Sequence, residues 1–272
     1  MIPKVSIIVP AFNCEKTLSN CLNSILNQTH KNFEVIIVDN NSYDRTREII
    51  KGFEFKDKRV KYVFEQQIGR GAARHKGEMA AKGDIILMTD ADCIVPVNWI
   101  NEMINPIIAG DFDAVQGSDI LKSNNFNNGD IIGNIDTKNF AISFNTLKVI
   151  GFTNSNYVSG NDTDLSIRLH KHNVKIKFLL NVKVKHKLNS SLELFKKQFI
   201  RAFWCTKITK DNINILLNTD FLYRTNQTPY TFIKFFPGLF ISLIVSGFKY
   251  TYFDLISGSA WRIGLIWGMI RN

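Results

Sequence analysis

Unbroken apolar runs, not alternating ones, mark the strands of this chain. Residues 5–9 (VSIIV) stop at Pro10, residues 35–38 (VIIV) stop at Asp39, and residues 85–89 (IILMT) stop at Asp90. Strands buried on both faces of a parallel sheet read this way. Between the first two, Leu18, Leu22, Ile25 and Leu26 recur at helical spacing, predicting a helix from about Glu15 to Asn27. Strand, helix, strand makes a right-handed parallel unit, so the fold class expected is α/β, a mostly parallel sheet flanked by helices. Ligands in such sheets sit beyond the carboxyl ends of the strands, where Pro10, Asn13, Asp39 and Asp92 fall.

The third run delivers Asp90-Ala91-Asp92 to its exposed end. Carboxylates two apart on a strand share a face, and a bend at the strand end lets one bind a hard cation directly and the other through water. That arrangement suits a divalent metal and a diphosphate. The polar segment after Asp39 reads differently. Ser42 precedes the helical stretch 45–50 (RTREII) and is expected to cap it. Arg74 lies on a predicted helix over 72–81, where a surface ion pair is the bland reading.

Four ordered segments carry a resemblance. Residues 5–13 (VSIIVPAFN), 35–44 (VIIVDNNSYD), 67–77 (QIGRGAARHKG) and 160–169 (GNDTDLSIRL) resemble, in that order, the signatures of family 2 inverting glycosyltransferases with the GT-A fold. His75 stands where that family usually has asparagine, and Asn161 stands where it usually has an acidic residue. The resemblance implies a nucleotide-sugar site made of Pro10, Ala11, Asn13, Asp39, Arg70, Arg74, Asp90 and Asp92. Asp39 would accept hydrogen bonds from the uracil or ribose, and Arg70 or Arg74 would meet the base or phosphates. Asp162 is the expected catalytic base, since an oxocarbenium-like transition state needs a carboxylate on the acceptor hydroxyl opposite the leaving group. Capping of the helix through 165–169 is the alternative role for Asn161 or Asp162, and Asp164 is expected to serve that helix's N-terminus. His186 closes a strand at a position where relatives place a histidine by the metal, so the implied metal ligands are Asp92 and His186. Mg2+ or Mn2+ fits such oxygen-rich ligation. The segment 198–204 (QFIRAFW) is similar to the Q-x-x-R-W element of polymerising relatives, with two residues between arginine and tryptophan.

Composition adds a surface. The chain has 272 residues, 45% of them hydrophobic, and a formal charge of +10. Anionic partners are therefore expected, and the uneven basic span 171–210 points to an anionic membrane surface. Nucleic acid is set aside, because no zinc-finger spacing, RNP-like aromatic motif or basic heptad region is present. A dinucleotide-binding enzyme is set aside too, since residues 69–74 (GRGAAR) end in arginine and do not follow the first strand. Cys14, Cys21, Cys93 and Cys205 show no C-x-x-C pairing, which favours a reduced, cytoplasmic interior.

The apolar stretch 235–248, bracketed by Lys234 and Lys249, is shorter than a bilayer span, and a second at 256–270 carries Trp261 and Trp267 beside basic residues. Monotopic or re-entrant attachment is expected there, with a true span or a soluble helical cap as alternatives. The domain reading is a catalytic domain over residues 1–217 and an apolar, helical, membrane-associating segment over 218–272. The function expected is metal-dependent, inverting transfer from a nucleoside-diphosphate sugar, with UDP as carrier, to a lipid-linked or saccharide acceptor at the cytoplasmic face. A catalytically weak nucleotide-sugar or anionic-lipid binding module is the rival.

Overall fold

A computed structural model of the chain describes residues 3–119 and 135–186, with residues 200, 204, 207, 208, 211 and 212 beyond them. The chain divides into one unit of Met1–Asp130 with Ile135–Lys187 and another of Ile131–Asn134 with Leu188–Asn272. The boundary expected at 217/218, the apolar stretches beyond it and all but Ile200 and Trp204 of 198–204 lie outside the described residues. Among the described residues, no helix is long and apolar enough to cross a membrane.

In the first unit, the strands in chain order are β1 (Val5–Ala11), β2 (Phe33–Asp39), β3 (Val60–Phe64), β4 (Ile85–Met88), β5 (Cys93–Ile94), β6 (Ala114–Asp119), β7 (Phe140–Ser143) and β8 (Ile176–His186). The helices are α1 (Leu18–Leu26), α2 (Thr46–Lys56), α3 (Arg70–Ala80), α4 (Trp99–Ile108), α5 (Phe144–Ile150) and α6 (Asn161–Lys171). The strands build one sheet in the order β3-β2-β1-β4-β7-β6-β8-β5. The first four are parallel, as the unbroken apolar runs predict, and β7 runs antiparallel to both β4 and β6.

Both faces of β1 and β2 are covered. Ile7, Val9, Val35, Ile37 and Leu87 join Leu18, Leu22 and Ile25 of α1 and Trp99, Ile100 and Met103 of α4 in one buried core. On the other face α3 comes close, because Gly77 has no side chain: a Cβ there would lie 2.5 Å from Ile8 Cγ2 and 3.2 Å from Val38 Cγ2. Small residues at Gly71, Ala72, Ala73 and Gly77 thus set the depth of α3 on the sheet, and the depth of Arg74 with it.

One irregularity directs the site. β8 runs parallel to β6, with Gly117 opposite Leu179 and then Ser118 opposite Lys183, so Leu180, Asn181 and Val182 bulge out of the ladder. The Asn139 side chain fills the gap, donating to Ser118 O and Val182 O (both 2.9 Å) and accepting from Trp99 Nε1 (2.8 Å). Past the bulge, β8 pairs antiparallel with β5, placing Cys93 opposite His186. A bulge that re-aims a strand beside a site is a recurrent device.

Candidate active site

The ends of β1, β2 and β4, the turn before β7, the start of α6 and the end of β8 supply the residues of the site. Asp39 is fully buried at the end of β2. Its carboxylate accepts from Ser42 N (3.0 Å), Arg47 Nε (3.2 Å) and the Tyr62 hydroxyl (3.3 Å). The Arg47 guanidinium also lies 5.0 Å over the Phe64 ring, and pairing with Asp39 raises its pKa. Asn13, at φ 48°, accepts from Tyr43 N while its own N–H donates to Ser42 Oγ, locking the β1 and β2 loops together. Ser42 therefore does not cap α2 as expected. That helix starts at Thr46 after Arg45, and Asp44 Oδ1 takes the Thr46 N–H at 3.0 Å. Pro10 and Ala11 contribute backbone, and Ala11 O is already bonded to Asn40 N. Arg70 is exposed at the first turn of α3.

Arg74 corrects the surface reading. It is 2% exposed, and its fork reaches Asp90 Oδ1 at 3.0 Å and Asp162 Oδ1 at 3.5 Å. Burial opposes its charge, but Asp162, Asp90, Asp136 and Glu78 outweigh that and raise its pKa. Close packing puts it there: a Cβ on Gly71 would come within 2.4 Å of Tyr157 O and 2.5 Å of Asn154 O. The first turn of α3 is thereby seated on the loop leading to α6.

Asp162 is on the first turn of α6 but does not cap it. The N-cap is Gly160, in the left-handed region at φ 81° with no side-chain cap bond. Asn161 turns inward and donates to Tyr157 O at 3.1 Å. Asp162 Oδ1 accepts from the Thr137 hydroxyl, and more weakly from Thr137 N at 3.4 Å. Among the described residues nothing donates to its Oδ2, and the side chain is 21% exposed. Asp164 pairs with Arg168 at 2.9 Å across one helical turn, and Arg168 also donates to Gly151 O. Its carboxylate still lies in the first turn, where the helix dipole favours it.

At the sheet's other margin Asp92 Oδ2 meets His186 Nε2 at 3.2 Å. That contact raises the imidazole pKa, against burial and the nearby Lys138 charge. Ligand atoms of Asp92, Cys93 and His186 lie within 4.8 Å of one another, an oxygen, a sulfur and a nitrogen of the kinds that divalent transition ions take. Burial pushes the Cys93 thiol up, which favours the oxygen and nitrogen donors over sulfur. Cys14, Cys21 and Cys93 are all free.

Sequence reasoning missed the turn Thr137–Asn139 and its neighbours. Lys138, 9% exposed, is held between Asp119 Oδ2 (2.8 Å) and Asp136 Oδ2 (2.9 Å). Burial disfavours its charge, but the two carboxylates prevail and raise its pKa. No periodic signal marks the stretch 136–139 (DTKN); its only cue is polarity directly before an apolar strand.

Comparison with known proteins gives this geometry a family. Residues 6–163 match the profile described as glycosyl transferase family 2. The glycosyltransferase GlyG of Streptococcus pneumoniae serotype 4 is 36% identical over 115 residues, 42% of this chain and 38% of its own length. The Escherichia coli UDP-Glc:alpha-D-GlcNAc-diphosphoundecaprenol beta-1,3-glucosyltransferase WfgD is 33% identical over 122 residues, 44% of this chain and 47% of its own. The match thus spans less than half the length of either relative. Among solved structures, the mannosyltransferase PcManGT of Pyrobaculum calidifontis, in complex with GDP-Man and Mn2+, aligns with a TM-score of 0.72 at 18% identity, covering 99% of this chain and 87% of its own. The fold is GT-A, as the ordered motifs imply.

Proposed function

Because the chain belongs to glycosyl transferase family 2, we propose that it transfers a sugar, with inversion, from a nucleoside-diphosphate donor to an acceptor hydroxyl activated by Asp162. One observation carries the reading: buried Arg74 bridges Asp162 to Asp90, the first carboxylate of the D-x-D turn. Base and diphosphate ends of a donor site are thereby fixed relative to each other. In the reaction the acceptor oxygen bonds to the anomeric carbon, the bond to the diphosphate breaks, and the hydroxyl proton passes to the carboxylate of Asp162. Its open Oδ2 is the atom that takes the proton, while Thr137 and Arg74 hold Oδ1 in place.

The nucleoside would lie over the ends of β1 and β2. Asp39 already has three protein donors, so a nucleoside would reach it by displacing Arg47, whose side chain is 46% exposed. Phe12 and Tyr43 present exposed rings beside that position, in edge contact at 6.1 Å between centroids. Asp92 and His186 would hold the divalent ion, Mg2+ or Mn2+, which when bound offsets the charge of the departing diphosphate. UDP is the proposed carrier, supported by the UDP-Glc donor in the name of WfgD. That relative's diphosphoundecaprenol acceptor also supports a lipid-linked acceptor, reached at the cytoplasmic membrane face through the basic span 171–210 and the apolar residues after 218.

Two experiments test the reading. With a UDP-sugar and Mn2+, Asp162→Asn should lower turnover by roughly two to four orders of magnitude while leaving donor affinity nearly intact, and EDTA should remove donor binding. Equal losses of binding and turnover in Asp162→Asn would assign that residue to folding or donor binding. Truncation after residue 217 should leave a form that salt strips from anionic vesicles, whereas the full chain should need detergent. Release of the full chain by salt alone would end the membrane reading.

A further inference from the structure

The far edge of the sheet presents two different faces. In the ladder of β5 and β8, Cys93 lies opposite His186 and Ile94 lies opposite Lys185. Opposed residues share a face, and successive residues along a strand alternate between faces. Cys93 is buried and His186 turns to Asp92, so that face belongs to the candidate ion site. Ile94 and Lys185 occupy the other face, and both are exposed. Lys183, two residues earlier, is exposed beside them, while Val182 and Val184 are buried. Among the described residues neither lysine has an ion-pair partner.

The loop from β5 to α4 extends that face. Ile94 is 41% and Val97 57% exposed, Pro96 is exposed between them, and residues 93–101 (CIVPVNWIN) carry no charge. The loop's main chain is tied from behind. Val95 N donates to Ser24 Oγ (3.2 Å) and Thr29 N to Val97 O (3.2 Å), while the buried Gln28 side chain donates to Pro96 O (2.7 Å) and accepts from Ile100 N (3.1 Å). Lys31, exposed as well, donates to Gln28 O at 2.8 Å and adds a third basic residue near the base of the loop. A loop fixed in this way has little order left to lose on binding. Exposed apolar residues scattered singly need no explanation. Apolar side chains on a fixed main chain, flanked by unpaired lysines, are a different combination: they match a surface that is anionic outside and apolar just beneath.

We infer that Ile94, Pro96 and Val97, with Lys183 and Lys185, form a docking face for an anionic lipid bilayer. The lysines meet headgroup phosphates, and the loop enters the layer below them. This rests on the membrane reading proposed above and goes beyond it, because the first unit itself touches lipid and its orientation on the bilayer is thereby set. The candidate ion site lies on the reverse of the docked ladder. Docking therefore brings that site next to the headgroups, where a lipid-linked acceptor carries its own phosphates.

Lysine footprinting of the full chain tests the face residue by residue. Acetylation is followed by mass spectrometry, free and with phosphatidylcholine vesicles that contain or lack phosphatidylglycerol. Vesicles with phosphatidylglycerol should slow labelling of Lys183 and Lys185 about tenfold, the effect of about nine-tenths docking, and leave Lys56 and Lys58, exposed beside β3 at the opposite edge of the sheet, within about twofold of the free rate. Vesicles without it should protect Lys183 and Lys185 less, since the lysines then lose their counter-charge. The double variant Ile94→Gln, Val97→Gln should melt like wild type, both side chains being exposed, yet lose the protection. A chain that sediments with anionic vesicles while Lys183 and Lys185 stay open overturns the inference and spares attachment through the tail. Protection that survives in the double variant, or that extends equally to Lys56 and Lys58, overturns it too. A chain that does not sediment with any vesicle takes the membrane reading down as well and leaves the face to an acidic protein.

Discussion

Replacing Arg74 by methionine removes the guanidinium that joins Asp90 to Asp162 and leaves both carboxylates facing each other across its former place. Breaking a buried ion pair from one side costs about 3–5 kcal/mol, because the remaining charge stays desolvated. Three features of this site reduce that figure. Asp90 and Asp162 are 20% and 21% exposed, so water takes up part of the charge. Among the described residues Arg74 Nε has no hydrogen-bond partner, so only two nitrogens of the fork are lost. Methionine also refills much of the volume with apolar contact. A loss of about 2–3 kcal/mol remains, which for a domain of this size lowers Tm by roughly 5–10 °C.

Urea denaturation followed by far-UV circular dichroism would measure it, in the single variant and in a double-mutant cycle with Asp90→Asn. If the pair interacts as the 3.0 Å contact requires, Asp90→Asn should cost less once Arg74 is gone, with a coupling of about 1–3 kcal/mol. Arg74→Lys should recover little, since a single ammonium cannot meet two carboxylates at the separate donors of a fork. Additive losses, to within about 0.5 kcal/mol, would mean that Arg74 and Asp90 are independent, and the argument that one guanidinium fixes both ends of the site would fail.

Two further predictions test the frame around the site. Glu34 is a buried residue of β2, opposite Ser6 of β1. Burial alone would raise its pKa, but bonds from Lys61, Ser6 Oγ and Lys82 N prevail and bring it down to about 2. A depressed carboxylate contributes stability above its unfolded pKa of about 4.5 and loses it as pH falls toward 2. Glu34→Gln should therefore cost on the order of 3 kcal/mol at neutral pH, with the gap to wild type closing between those values in pH-dependent urea melts, and a gap independent of pH would refute the assignment. Gly117→Ala should cost about 2–4 kcal/mol, from overpacking and disturbed hydrogen bonds, because its Cβ would fall 2.2 Å from Asn139 Nδ2. It should also weaken Mn2+ binding in calorimetric titration by shifting β8, and a variant with wild-type stability would show that the bulge adapts.

The parallel half of the sheet was legible because β1 and β2 are buried on both faces, so their runs are apolar but for the bonded pair Ser6 and Glu34 near their starts. The ends of those strands then pointed to the site without further help. Arg74 was not legible as a bridge. Its partners lie 16 and 88 positions away in sequence, and an arginine on a helix is exposed far more often than buried. The signal available was the cluster of small residues around it, Gly71, Ala72, Ala73 and Gly77, which marks a helix face in close contact. The contact of His186 with Asp92 is observed in the fold, whereas a metal role for the two comes from resemblance alone. The pairing depends on β5, a two-residue strand that no periodicity can announce, and on a bulge in β8. β6 reads AVQGSD and is buried throughout, so its polar half hides a core strand from any rule that seeks apolar runs.

Those buried polar residues have a common cause. A buried amide left without partners costs far more than its hydrogen bonds return, so a cluster of them persists only when each is satisfied. Gln116 donates to Gly117 O, Asp136 O and Asn139 O and accepts from Asp136 N, while Asn139 closes the gap between β6 and β8. Both side chains therefore hold the same turn, one from each side. That turn positions Thr137 against Asp162, and the gap it fills lets β8 carry His186 to Asp92. Asp162 and His186, the proposed base and the proposed metal ligand, are thus set by one polar plug. A fully apolar replacement of Gln116 and Asn139 would keep a core there but lose the two directions in which the plug points.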